Sequence, residues 1–196
     1  MLVVSSEVKK QMGMTLIELM LACVIGSMLL MVLSAVFASG LNTSARISQQ
    51  LTFDTQFHDL EQFIRADLRR AGFSINGNNA GEVKWQGATQ VVYVNAGKDC
   101  LAYAYEFTDD GTGKVRYSYL RLNDRNELVL FTNVDDPQNI ASACTGGEAI
   151  SEKSELLLTR FEVDISMLPV VVIDMSAQSP ATSTIDSTQL YVTIEN

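Results

Sequence analysis

From Met14 to Ala38 the chain reads MTLIELMLACVIGSMLLMVLSAVFA, 25 residues with a single charge, Glu18. As a helix this run measures about 37 Å, more than the ~30 Å hydrocarbon core of a bilayer. No other feature restricts the fold as much, because a stretch this apolar must be covered by lipid or by other apolar groups. Lys9 and Lys10 stand just ahead of it. The positive-inside bias then puts the N-terminus in the cytoplasm and the residues from about 40 onward on the other side.

Two ordinary readings fit such a run. A secretory signal peptide would be cut after its apolar core, and Ser34-Ala35-Val36-Phe37-Ala38-Ser39-Gly40 supplies small residues for that cut. An uncut signal anchor is the other. Neither accounts for Glu18, four residues past the start of the run. A carboxylate in hydrocarbon costs several kcal/mol unless it is paired, so intramembrane charges usually have a task.

The segment Lys9-Lys10-Gln11-Met12-Gly13-Met14-Thr15-Leu16-Ile17-Glu18-Leu19 resembles the type IV prepilin signature. In that family a short basic leader ends in glycine, and a membrane peptidase cuts before the apolar segment. The new first residue, usually Phe, is then N-methylated. The resemblance implies cleavage between Gly13 and Met14, methylation of Met14, and leader charges at Lys9 and Lys10. It also implies that Glu18 neutralises the terminal amine of an adjacent subunit and so sets the register between subunits. Glycine at the cut leaves an unobstructed backbone for a protease.

Beyond Gly40 the pattern becomes amphipathic. Leu41, Ala45, Phe53, Phe57, Leu60, Ile64, Leu68 and Ala71 recur mostly at three- and four-residue steps, with no proline between them. Glu61, Arg65, Asp67 and Arg69 are assigned to the opposite face. Arg69 and Arg70 suit the last turn, and Gly72 suits the C-terminal cap. One helix is therefore expected from Met14 to about Ala71, with a bend or local opening at Ser39-Gly40.

The remainder reads as antiparallel β-structure. Leu101, Tyr103, Tyr105 and Phe107 alternate with smaller or polar neighbours, as do Val115, Tyr117 and Tyr119. Turns at 109–113 and 123–126 join these segments to Leu128–Phe131 as a three-strand meander. Further strands are expected at 89–95, 155–165 and 188–194, and loops at 76–81, 133–148 and 174–187. The fold class is α+β and type IV pilin-like: a long N-terminal helix, its first half membrane-spanning, packed on a mostly antiparallel β-sheet. The divisions are a leader at 1–13, a transmembrane and filament-core segment at 14–38, an amphipathic half-helix at 39–72 and a β-rich globular part at 73–196.

A net charge of −9 argues against nucleic acid as a main partner. Arg65, Arg69 and Arg70 are the nearest approach to a basic patch. Cys23, inside the apolar run, is a small hydrophobe. If the polar part of the chain is exported, Cys100 and Cys144 remain as an even pair in an oxidising compartment, and a disulfide between them is expected. The only histidine, His58, falls on the amphipathic helix. A hydrolytic triad needs a base beside its nucleophile, so catalysis is not expected, nor are a cofactor or a metal site. Asp109, Asp110, Asp135 and Asp136 lack calcium-loop spacing and read as turn residues.

Within the prepilin family the chain looks like a PilW-like minor pilin. The resemblance rests on Leu60-Glu61-Gln62-Phe63-Ile64-Arg65-Ala66-Asp67-Leu68-Arg69-Arg70-Ala71-Gly72-Phe73, supported by Asp99-Cys100-Leu101. Many major pilins carry a proline where Ala35 stands here, which also favours a minor subunit. The resemblance implies a structural part that primes pilus assembly or sits at the tip, supporting adhesion, twitching or DNA uptake. Its implied partners are the prepilin peptidase, other minor pilins, the major pilin, the inner-membrane assembly platform and a tip adhesin. Its implied place is a single pass through the bacterial inner membrane, with a periplasmic C-terminal domain, and then the pilus. The alternatives are a J-like minor pseudopilin of type II secretion and, from another class, a membrane-anchored periplasmic enzyme or sensor.

Overall fold

The computed structural model describes residues 15–75, 81–85, 88–109, 111–134 and 144–195. Lys9, Lys10, Gly13 and Met14, most of the expected loops at 76–81 and 133–148, and Asp110, Asp135 and Asp136 lie outside the described residues.

Helix α1 spans Leu16–Leu68, 53 residues. Thr15 precedes it as the N-cap, its carbonyl accepting from the Glu18 and Leu19 N–H groups at 3.0 and 3.2 Å. Hydroxyls along the apolar stretch are satisfied by the helix itself: Ser27 donates to the Val24 carbonyl at 2.8 Å and Ser34 to the Leu30 carbonyl at 2.7 Å. Such back-bonding removes the cost of a bare hydroxyl in lipid. The helix passes through Ser39 and Gly40 without a break, so the opening expected there does not occur. It ends where the chain cannot continue helical geometry. Gly72 has φ of 80°, a left-handed cap, and its N–H donates to the Ala104 carbonyl at 2.8 Å. The chain divides into two compact units, one ending at Arg46 and one beginning at Ile47, so the second takes in the last part of α1.

Among the described residues ten strands follow: β1 (Val83–Trp85), β2 (Ala88–Gln90), β3 (Val92–Val94), β4 (Cys100–Asp109), β5 (Thr112–Leu122), β6 (Leu128–Val134), β7 (Glu148–Ala149), β8 (Leu157–Met167), β9 (Val170–Gln178) and β10 (Ile185–Thr193). They form not one sheet but three, all antiparallel: β1-β2, β3-β4-β5-β6-β7 and β10-β9-β8. The five- and three-stranded sheets share one core with α1. Phe53, Phe57, Leu60, Ile64 and Leu68 from the helix meet Leu101, Tyr103 and Tyr105 from β4, Ile173 and Met175 from β9, and Leu190 and Val192 from β10. A smaller cluster on the other face of β4 and β5 gathers Val83, Ala102, Ala104 and Tyr119. The period-two set Tyr117 and Tyr119 therefore faces away from the helix, while Tyr103 and Tyr105 face it.

Two hairpin tips join the large sheets. Lys98 and Asn126 both have positive φ, 59° and 63°, which turns each carbonyl outward. The Lys98 carbonyl accepts from the Val163 N–H at 2.9 Å and the Asn126 carbonyl from the Leu158 N–H at 2.8 Å. Both donors belong to β8, whose outer edge would otherwise be unpaired. Asn95 and Asn123 hold these tips, each through a side-chain oxygen that accepts two backbone N–H groups.

Several expected boundaries change. The strand expected at 89–95 is split at Val91 between β2 and β3, which belong to different sheets. The loop expected at 174–187 shrinks to the connection between β9 and β10. Its first part is strand because Ile173, Met175 and Ala177 are buried while Asp174, Ser176 and Gln178 alternate with them on the more open face.

Candidate functional site

At the start of α1 the Glu18 carboxylate folds back on Thr15. It accepts from the Thr15 N–H at 3.4 Å and from the Thr15 hydroxyl at 3.3 Å. Thr-x-x-Glu thus forms the glutamate half of a capping box, with a carboxylate at the positive end of the helix dipole. Both contacts are long, near the outer limit for a hydrogen bond. The side chain is therefore placed at the helix start without being committed to Thr15. From Leu16 onward the apolar residues of this stretch are exposed in the isolated chain: Leu16 is 78% accessible and Phe37 69%. A helix long and apolar enough to cross a membrane, with none of its apolar window buried, is unlike the core helix of a soluble domain.

Cys100 and Cys144 are joined by a disulfide, with Cα atoms 6.1 Å apart and 44 residues between them in sequence. Cys100 is buried at the first position of β4, and Cys144 packs against the smaller cluster. The bond ties the chain after β6 back to the start of β4.

One polar joint was not legible from the sequence pattern. Asp67 was assigned to the solvated face of the helix, yet it lies among Leu60, Ile64 and Ala71 on the packed face, and its side chain is only 14% exposed. Its carboxylate accepts from the Tyr103 hydroxyl at 2.5 Å and the Tyr105 hydroxyl at 2.9 Å. Burial first, then the Asp67 charge, holds the Tyr103 phenol well above its ordinary pKa, and the same causes raise Tyr105. The spacing 60, 64, 67, 71 was the available signal, since it continues the apolar stripe. Arg70 and Arg116 lie over the Tyr105 ring at 5.8 and 6.0 Å. The other arginines of the helix end also reach the sheet. Arg65 donates to the Tyr191 carbonyl at 3.1 Å, and Arg69 pairs with Glu195 at 2.5 Å.

A family model described as prepilin peptidase-dependent protein B matches residues 46–194, well over half of the chain. The chain belongs to that family. No curated protein and no solved structure matches it. Membership in the prepilin peptidase-dependent protein B family makes the chain a type IV prepilin-related protein, and the α+β architecture of one long apolar N-terminal helix with antiparallel sheets fits that class. The matched residues take in almost the whole of the second unit and none of the segment from Lys9 to Leu19. The leader resemblance and the family match therefore rest on different residues. The remaining sequence candidates fall outside any constellation. His58 contacts Gln62 at 2.7 Å and Glu61 at 3.8 Å along the helix, and Asp109 pairs with Lys114 at 2.7 Å beside the β4–β5 turn.

Proposed function

We propose that the chain is a minor type IV pilin of the PilW-like kind, a structural subunit that joins other minor pilins in the membrane to start or cap a filament. The observation that carries this reading is the coincidence of two separate signals. A prepilin leader motif lies at residues 9–19, and a prepilin peptidase-dependent family match lies at 46–194. On this reading the prepilin peptidase hydrolyses the Gly13–Met14 bond. That removes the leader with Lys9 and Lys10 and leaves a positively charged amine on Met14, which is then methylated.

That amine needs a counter-charge in a medium of low dielectric, and Glu18 is the only acid in the span. The long contacts to Thr15 support an exchangeable carboxylate, because a charge-assisted bond to an ammonium is stronger than either of them. Pairing with the amine of a neighbouring subunit fixes axial register, since a one-turn slip leaves both charges unpaired. Glu18→Ala is expected to insert and to be cut normally but to enter filaments poorly. Comparing processed protein with filament-borne protein for wild type and variant checks this, and equal incorporation contradicts the registry role.

The reading assigns the domain a role in contacts with other minor pilins, the major pilin, the inner-membrane platform and a tip adhesin, and assigns it no turnover. A strain lacking the gene is expected to have few or no surface pili and normal exoprotein secretion. Normal pili with blocked secretion would instead make the chain a minor pseudopilin of type II secretion.

A further inference from the structure

Within the second unit a cleft of about 450 Å³ opens beside α1, between the helix and the segment that follows β7. Its walls are apolar: Leu60 and Leu156 at the bottom are 7% and 1% exposed, and Leu130 closes one side. Phe63, 38% exposed, stands at the mouth. Two carboxylates line the rim, Asp59 from the helix and Glu152 from the loop, and neither is ion-paired among the described residues. Gln56, also in the lining, donates to Glu155, which satisfies that carboxylate without neutralising it. No lysine, arginine or histidine is among the residues that line the cleft.

We propose that this cleft docks a second, different subunit of the same assembly, which inserts one large apolar side chain and sets a lysine or arginine over Asp59 and Glu152. The inference rests on the filament-subunit reading. An apolar floor supplies affinity by excluding water, while an unneutralised acidic rim selects a basic flank and speeds encounter. The size is at the lower end of pockets that enclose a ligand, ~300–1,000 Å³, and suits a side chain better than a helix. The chain's own net charge of −9 points the same way, because an acidic partner would be repelled.

The test places a photoreactive phenylalanine analogue at Ala149, on the exposed lip of the cleft, in the full chain expressed in its own membrane. A second strain carries it at Ile47, exposed on α1. The expected product from position 149 is a cross-link to a different prepilin-type subunit, through a peptide whose apolar residue lies within one helical turn of Lys or Arg. Asp59→Lys and Glu152→Lys should each lower its yield several-fold, and both together more. Asp124→Lys, in the turn between β5 and β6, should leave it unchanged. Urea midpoints near wild type show that the variants are folded. A yield indifferent to both reversals, a cross-link to lipid, or a cross-link to a second copy of this chain overturns the proposal. Cross-links from 47 but none from 149 overturn the cleft alone. Cross-links from neither position count against the filament-subunit reading as well.

Discussion

Replacing Cys100 and Cys144 together by alanine is expected to lower the stability of the detergent-solubilised protein by about 4 kcal/mol. The bond closes a separation of 44 residues, and on the chain-entropy account an untied loop of that size gives the unfolded state about that much extra freedom. Cys100 is 1% exposed, so alanine there also leaves a small void, whereas serine would bury an unpaired hydroxyl. Domains of ordinary size are stable by only ~5–15 kcal/mol, so the loss is a large share of the total. Urea unfolding of wild type and double variant measures it. Reductant should bring wild type most of the way down to the variant, which also carries the void, and leave the variant where it is. A difference below about 1 kcal/mol would mean that the unfolded loop was already restricted, against the entropic account.

Asp67→Ala is expected to cost about 3 kcal/mol, from two hydrogen bonds to a charged acceptor and the stranding of the Tyr103 hydroxyl in the core. Tyr103→Phe should cost less, since Tyr105 still holds the carboxylate. The same joint sets an alkaline limit. In the unfolded chain the phenols ionise near 10.0, whereas in the fold both are held protonated to higher pH. Above pH 10 the unfolded state thus sheds protons that the folded state keeps. Stability that is complete below pH 10 is therefore lost as pH rises through the folded values. Urea midpoints from pH 8 to 11 check the sign. Wild type should weaken above pH 10, and Tyr103→Phe should weaken with a shallower slope.

How far the sequence carried depended on how local the cause was. The leader motif and the apolar span are linear features, and the helix stripe Phe53, Phe57, Leu60, Ile64 and Leu68 could be read from spacing because a helix repeats over a few residues. The β4–β5–β6 meander was legible from alternation and its turns. The way the two large sheets are joined was not, because it depends on Lys98 and Asn126 offering carbonyls to a strand far along the chain. β9 looked like loop because Asp174, Ser176 and Gln178 raise its polarity, although they occupy one face of a strand. Asp67 carries a charge that suggests solvent, but its place in the 60, 64, 67, 71 spacing puts it on the packed face. A carboxylate can lie on a packed face when partners wait there, and Tyr103 and Tyr105 are 36 and 38 residues away.

The central claim is that the prepilin peptidase processes this chain. Its most direct test is the mass and N-terminal sequence of the protein purified from membranes with and without that peptidase. The account predicts a chain beginning at Met14, methylated and 13 residues shorter, that reverts to full length when the peptidase is absent. A chain that begins near Gly40, or that keeps its leader in both strains, would contradict it.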